Sequence, residues 1–361
     1  MDFIITDQRE TSIKPCNVLP NCKVLRRSKI RFILSEGVPL GLIPNLINGG
    51  YDLVFCWKEL TWACLISFLI SKLMRKRFIV YSETWCYPRN TLGIIASVIT
   101  GQIIRGCDAI VIPGRKAKNF FMENFQVDHE KFFLAPNAAF LLDPDGENSK
   151  LKQMEIRKEL GIEGKKVILY LSRIIEVKGL DYLVKAFSKL EKERDDVFLV
   201  IGGTGDFKYK VQRLCASLKV KNVKFIGAVI DPAYKKALYS LCSVFVLPSI
   251  SMPYSAPCNE AMPLVINEAM SMGKVVITTT AVGAADDMVI NGMNGIVVEE
   301  KNVDDLYDAL RKMLSDDEMR RRMGLIAKET VYTKFTYDRQ AEGIMNAIDY
   351  CEPKSASIKH E

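Results

Sequence analysis

Glu260-Ala261-Met262-Pro263-Leu264-Val265-Ile266-Asn267-Glu268-Ala269-Met270 is the stretch on which the fold of this chain turns. Two carboxylates stand eight positions apart across a turn that opens a helix. Just upstream is a strand-like run, Ser243-Val244-Phe245-Val246-Leu247-Pro248-Ser249; just downstream come Gly273 and a second strand at 275–278. A helix N-terminus presents unpaired backbone N–H groups and a partial positive charge, so it suits phosphate. Glu260 in the loop and Glu268 about two turns along the helix are then placed to reach neutral hydroxyls on the same ligand. A phosphate with sugars on both sides is a nucleotide-sugar. Paired glutamates at helical spacing are common on solvated helices, and it is the strand, loop, helix and second strand around them that give the pair its weight.

A length of 361 residues predicts two or three domains, each large enough for its own core. Apolar content of 48% and charged content of 26% are ordinary for a globular chain. The ten cysteines are scattered without a Cys-x-x-Cys pair, and the only histidines are His129 and His360. That pattern fits neither a zinc site nor a disulfide framework; reduced thiols in a cytoplasm are the simpler reading. No basic leader followed by an apolar core opens the chain, so a secretory signal is not expected. The longest apolar run, 62–70, falls far short of the ~20 residues that span a bilayer.

The net charge of +7 is uneven: residues 1–120 carry 17 Lys/Arg against 8 Asp/Glu. Basic clusters stand at Lys23, Arg26, Arg27, Lys29 and Arg31, at Lys72, Arg75, Lys76 and Arg77, and at Arg115, Lys116 and Lys118. Any one of them reads as solvated surface. Together they predict an anionic partner for the first half of the chain.

Apolar runs of strand length alternate with helical segments throughout, which predicts an α/β fold with parallel sheets. First-half strands are expected at 2–6, 29–34, 53–56, 78–81, 109–112 and 131–135, with helices at 58–75, 91–105 and 114–125. The Pro/Gly/Asp-rich break at 141–149 reads as a linker. A second series follows: strands at 166–171, 197–201, 223–226, 244–247, 275–278 and 296–298, helices at 179–193, 207–218, 231–241, 264–272 and 302–315, and a last helical stretch over 317–350 broken near Phe335-Thr336-Tyr337. The expected domains are 1–145 on the acceptor side, 146–330 for the nucleotide-sugar, and a C-terminal helix and tail at 331–361 returning to the first domain. Two doubly wound, Rossmann-like domains facing across a cleft place ligands at the carboxyl ends of the strands.

Four loops at such strand ends carry unusual residues. Arg173 leaves the strand at 166–171 and Lys178 opens the next helix, so two cations and a helix N-terminus converge where a diphosphate would sit. Gly202, Gly203 and Gly205 permit close backbone approach to a ligand, or simply a tight turn; they do not complete a dinucleotide fingerprint. The loop Gly227-Ala228-Val229-Ile230 is a candidate pocket for a nucleobase. The fourth loop carries Glu260 and leads to Glu268, and beyond it Asn291-Gly292 and Asn294-Gly295 form a further turn.

In order and spacing, Ser172-Arg173, Lys178-Gly179-Leu180-Asp181, Gly202-Gly203-Thr204-Gly205, Phe225-Ile226-Gly227, Leu247-Pro248-Ser249, Glu260 through Glu268-Ala269-Met270 and Asn291-Gly292 resemble the retaining GT-B glycosyltransferases of family four. The resemblance spans about 165–300. It implies that Arg173 and Lys178 hold the donor diphosphate, Glu268 binds the ribose, Glu260 contacts the transferred sugar, and the backbone of Pro263, Leu264 and Val265 completes the sugar-phosphate site. The common form of this loop has Phe-Gly where Met262-Pro263 stand, and proline removes one N–H donor. The resemblance further implies hexose transfer to a glycan or lipid-linked hydroxyl, with retention and no cofactor; with Arg173 and Lys178 holding the diphosphate, no metal is expected. Its other implications are no nucleic-acid partner, a cytoplasmic location and peripheral contact with the inner face of an anionic membrane.

The first domain shows less of the pattern. Members of the family usually begin with a strand and a glycine-rich loop, whereas the first glycine here is Gly37, which suggests a shortened N-terminal domain. Where many members carry a histidine, this chain has Tyr81-Ser82-Glu83-Thr84-Trp85 at a strand end. Glu83 is therefore the candidate catalytic carboxylate of this domain, beside Glu260 in the other; capping of a loop is its bland reading. Two other functions fit the same fold: a catalytically silent subunit that partners an active enzyme, and a nucleotide-sugar epimerase.

Overall fold

A computed structural model describes residues 3–5, 22–24, 41–87, 90–142, 147–252 and 261–352. The chain divides into two compact units. One gathers Met1–Pro113, Ala117–Ala135 and Ala341–Glu361; the other gathers Gly114–Lys116 and Pro136–Gln340. The division falls at Ala135/Pro136, ahead of the expected 145/146. The tail that groups with the first unit begins at Ala341.

In the first unit, β1 (Phe3–Ile5) and β2 (Cys22–Val24) pair in parallel. A short helix, α1 (Leu42–Asn48), comes next, followed by β3 (Leu53–Trp57), α2 (Trp62–Leu73), β4 (Arg77–Tyr81), α3 (Thr91–Gly106), β5 (Ala109–Ile112), α4 (Arg115–Phe125) and β6 (Phe132–Leu134). The four strands β3-β4-β5-β6 lie in that order, all parallel. β4 and β5 are buried on both faces, as strands of a parallel sheet between layers must be. The helix expected over 58–75 starts later because Lys58 takes a left-handed φ of 78° and Thr61 caps the helix, its hydroxyl accepting from Cys64 N at 3.1 Å. The strand expected at 29–34 and the basic residues Lys23 to Arg31, apart from the backbone of β2, lie outside the described residues, as does Gly37.

The second unit opens with α5 (Glu147–Leu160), then β7 (Lys166–Leu171), α6 (Leu180–Leu190), β8 (Val197–Gly202), α7 (Lys208–Ser217), β9 (Val223–Gly227), α8 (Pro232–Leu241), β10 (Val244–Leu247), α9 (Leu264–Ser271), β11 (Val275–Thr279), β12 (Gly295–Val298), α10 (Val303–Ser315) and α11 (Asp317–Lys334). The strands form a six-stranded parallel sheet in the order β12-β11-β10-β7-β8-β9. Helix α6 shows why the pattern folds this way. Leu180, Leu183, Val184, Phe187 and Leu190 recur at helical spacing on one buried face, while Lys185 and Lys189 point outward to Asp181 and Asp304. The last helix, α12 (Tyr337–Cys351), lays Ala347 and Cys351 against Ile79, Tyr81 and Val111 of the first unit's sheet. Gly343 lets it come that close, because a Cβ there would stand 1.9 Å from Leu134 O.

Candidate functional site

In a sheet ordered β12-β11-β10-β7-β8-β9 the winding reverses between β7 and β10. The carboxyl ends of the strands at such a reversal are the usual ligand position of an open α/β sheet. Arg173 follows β7, and Pro248 through Ser251 follow β10. These two loops therefore leave the same end of one parallel sheet, at neighbouring strands.

After β7 the chain passes Arg173, which is exposed, and reaches Lys178, which is 5% exposed, two residues before α6 begins. The turn between them is fixed at both ends. Tyr170 Oη donates to Arg173 O at 2.9 Å, and Ile250 N donates to Val177 O at 2.8 Å. Gly179 stands at φ 62°, and a Cβ there would lie 1.9 Å from Pro248 O. Only glycine lets the β7 loop and the β10 loop touch here.

The glycine loop after β8 owes its composition to the same loop. A Cβ on Gly203 would lie 1.9 Å from Ser172 O, and one on Gly205 would lie 2.2 Å from Ile174 O. Ile174 N donates to Thr204 O at 2.8 Å, and Gly203 N to Gly227 O at 2.6 Å. The glycines are thus required by neighbouring backbone within the protein, the tight-turn alternative of the sequence. Val229 leans toward Gly202, its Cγ2 being 3.1 Å from where a Cβ on Gly202 would lie.

Helix α9 begins at Leu264 with Pro263 as its N-cap residue, φ −71°. Pro263 O accepts from Ile266 N at 3.0 Å, so the turn closes even though proline contributes no N–H. Leu264 is 47% exposed, and the N–H groups of Leu264 and Val265 lie in the first helical turn, where no intrahelical acceptor exists. Glu260 lies outside the described residues; its neighbour Ala261 rests on Gly283, where a Cβ would be 2.2 Å from Ala261 O. On the other side of the loop, Glu300 takes hydrogen bonds from both Ser251 N (2.6 Å) and Ser251 Oγ (2.5 Å). Burial pushes the Glu300 carboxyl up, but these two donors and Lys301 leave it below its ordinary value.

Glu268 sits one face-turn into α9 with two partners that the sequence did not suggest. Lys235 Nζ donates to its Oε1 at 2.5 Å, and Tyr239 Oη donates to its Oε2 at 2.9 Å. Tyr239 is fully buried, and burial together with the Glu268 charge pushes its hydroxyl far above the usual phenol range. Lys235 and Tyr239 occupy one face of α8 at i and i+4. Farther along, Asn294 is a structural knot: its Oδ1 accepts from Ile290 N at 2.7 Å and its Nδ2 donates to Met288 O at 3.0 Å and Thr330 Oγ1 at 3.1 Å.

In the first unit Glu83 is exposed just past β4, and Tyr81 Oη donates to its Oε1 at 3.4 Å. Trp85 packs on the unit's core. Two residues at the end of β3 escaped the sequence reading. Trp57 is 54% exposed and stacks on Tyr81 with ring centroids 3.9 Å apart and planes 15° apart. Glu59 is 1% exposed, and neither carboxylate oxygen makes a well-formed hydrogen bond. Burial pushes its carboxyl up, opposed by the nearby hydroxyls of Thr84 and Ser82. A buried acid beside Lys58 looks like surface in sequence, and it lies past the end of β3 where alternation gives no signal. Among the described residues no three His, Cys, Asp or Glu side chains converge to hold a metal ion. No helix among them is long and apolar enough to cross a membrane.

The fold has counterparts among known proteins. Residues 152–330 match the family model for glycosyl transferases group 1. An uncharacterized glycosyltransferase of Methanocaldococcus jannaschii is 32% identical over 197 residues, covering 54% of this chain and 48% of the relative. The GDP-mannose-dependent monoacylated alpha-(1-6)-phosphatidylinositol monomannoside mannosyltransferase of Corynebacterium glutamicum is 29% identical over 201 residues, 55% of this chain and 51% of the relative. The chain spans about half the length of these curated relatives. The crystal structure of Anabaena HepE in complex with UDP superposes with a TM-score of 0.73 at 17% identity, over 91% of this chain and 86% of that one, which shows a shared GT-B fold. Through residues 152–330, the chain belongs to the glycosyl transferases group 1.

Proposed function

We propose that this chain transfers a hexose from a nucleotide-sugar to a hydroxyl of a glycan or lipid-linked acceptor, with retention at the anomeric carbon and without a metal. The proposal rests on the topology: Arg173 and Lys178 lie in the loop leaving β7, and α9, which carries Glu268, follows the loop leaving β10, the neighbouring strand across the switch point of the six-stranded sheet. Arg173 and Lys178 take the donor diphosphate, the first turn of α9 takes the phosphate next to the sugar, Glu268 takes the ribose hydroxyls, and Val229 borders the base. Glu260 contacts the transferred sugar. HepE was crystallised with UDP and with UDP-glucose, ligands of this chemical class. The corynebacterial relative is named for a phosphatidylinositol mannoside acceptor, which supports the lipid-linked alternative. Such an acceptor places the enzyme at the cytoplasmic face of a membrane.

In this reading the acceptor oxygen bonds to the anomeric carbon on the face that the diphosphate leaves. The bond from that carbon to the phosphate oxygen breaks, and the acceptor proton passes to the departing oxygen. Arg173 and Lys178 stabilise the charge growing on the diphosphate, the largest electrostatic demand of the step. On the acceptor side Glu83 orients the attacking hydroxyl or faces positive charge on the sugar.

The test is release of nucleoside diphosphate from UDP-, GDP- and ADP-sugars, with and without a glycan or lipid-linked acceptor, followed by NMR assignment of the product anomer. Acceptor-dependent release with a retained anomer is expected. Nucleotide binding without release would instead make the chain a silent subunit, and a changed sugar on an intact donor would make it an epimerase.

A further inference from the structure

Glu268 does not stand alone at the place assigned to the ribose. A carboxylate has about four acceptor positions on its two oxygens. Two are taken by protein donors, one per oxygen: Lys235 Nζ at 2.5 Å on Oε1 and Tyr239 Oη at 2.9 Å on Oε2. A vicinal diol brings two O–H donors, which is what the remaining positions can accept.

The two donors also fix the direction in which those positions face. Pro232 at the start of α8 and the cap by Asp231, whose carboxylate accepts from Ala233 N and Tyr234 N, set the start of the helix. Tyr239 is anchored by complete burial and by packing on Phe245 of β10 at 5.6 Å between ring centroids. Glu268 is carried by α9, and Ser271 Oγ donates to its backbone carbonyl at 2.8 Å. Its side chain is 14% exposed and that of Lys235 30%, so the ion pair is partly shielded from water yet reachable. A glutamate on a helix surface ordinarily samples several rotamers.

We infer that Lys235 and Tyr239 are positioning residues that lock Glu268 into the one orientation able to accept both ribose hydroxyls, and so set the preference for ribonucleotides over deoxyribonucleotides. The inference rests on the ribose assignment of Glu268 made above. Neither residue needs to touch the sugar. Lys235 holds the carboxylate turned outward, and Tyr239 prevents rotation about the last side-chain bond. Loss of either should leave the diphosphate contacts of Arg173 and Lys178 intact while blunting recognition of the 2′-hydroxyl.

The experiment measures dissociation constants for the ribo and 2′-deoxyribo forms of UDP, GDP and ADP on the full chain, using the pair that the unaltered protein binds best. The unaltered protein should favour the ribo form at least tenfold, and Glu268→Gln should abolish most of that preference. Lys235→Met and Tyr239→Phe should each reduce the preference at least threefold with little change in affinity for the deoxy form, and Lys235→Arg should restore it. A merely structural role would weaken both forms alike. If Glu268→Gln loses the preference while Lys235→Met and Tyr239→Phe keep the full ratio, the inference is overturned and the ribose assignment stands. If the unaltered protein shows no preference, the ribose assignment itself fails and the inference with it. Unfolding profiles of each variant guard the comparison, and the partly exposed Lys235 gives a readout even if Tyr239→Phe disturbs the core.

Discussion

A carboxylic acid shut away from water is far less costly neutral than charged, and Glu59 is such a group. Its folded pKa lies above the 4.5 of the free side chain, chiefly through burial. Between those two values the folded protein holds a proton that the unfolded chain has lost, so stability falls as pH rises through the window and then levels off. Glu59→Gln should remove that slope and raise the melting temperature at neutral pH, by an amount corresponding to about 1–3 kcal/mol. Melting curves of both proteins from pH 4 to 8 check it; parallel curves would mean that Glu59 is ionised and satisfied. Arg173 makes a different prediction, because it is exposed and replaceable. Arg173→Ala should weaken a nucleoside diphosphate roughly 10- to 100-fold, the worth of a charge-assisted bond of about 1.5–3 kcal/mol, and leave the bare nucleoside unchanged. Equal loss for both ligands would assign the arginine to the fold. Arg173, Lys178 and Glu268 were legible as candidates from sequence because each follows a strand end at its own spacing, the first two in a loop and the third on the helix after one. Lys235 and Tyr239 were not, because they meet Glu268 only through the packing of two helices. Glu59 was not, because burial of an acid is a tertiary fact.

At the scale of elements, the strands of the second unit could be read almost to the residue, since a strand buried on both faces is a continuous apolar run between turns: 166–171, 244–247 and 109–112 in the first unit all coincide with the structure. Helix α5 escaped because it has little to bury. Ile156 and Leu160 are its buried residues among those whose side chains are described, and Arg157 spends its guanidinium on the carbonyls of Ile162, Lys165 and Leu241. Helix α1 escaped for a related reason, being short, entered through the left-handed Gly41 and carrying Pro44 in its first turn. The loops that build the candidate site are held by contacts between elements, and Gly179 makes one of the closest of these. Gly179→Ala would force a left-handed non-glycine residue, costing roughly 1–3 kcal/mol, and would drive a methyl into Pro248 O. Thermal unfolding should show the loss, and donor binding should fall with it because the β7 and β10 loops part. A variant that keeps its stability and its affinity would show that the two loops do not depend on each other.

For the molecule as a whole, the positive balance of residues 1–120 invites an anionic partner, but much of that charge is answered locally. Lys72 and Arg77 both face Asp108, at 3.7 and 3.0 Å, and Lys76 Nζ donates to Leu46 O at 2.9 Å. What the first unit leaves outward is apolar as well as basic. Leu69 and Leu73 on α2 are 52% and 84% exposed, and Leu92, Ile94 and Val98 on α3 are 60%, 66% and 59% exposed. Apolar side chains beside cations are what a peripheral protein offers to an anionic bilayer, the first entering the headgroup boundary and the second drawn by surface charge. If the acceptor is lipid-linked, the protein should pellet with anionic vesicles more than with neutral ones and lose this in high salt, since the charge term fades beyond a Debye length. Arg75→Gln should weaken the association roughly fivefold, at about 1 kcal/mol for the one cation removed. Leu73→Glu should weaken it even at low salt, where charge attraction is strongest, because it removes apolar insertion and adds repulsion. Pelleting that ignores lipid charge, or none with either vesicle, would leave these side chains as ordinary surface and favour a soluble glycan as acceptor.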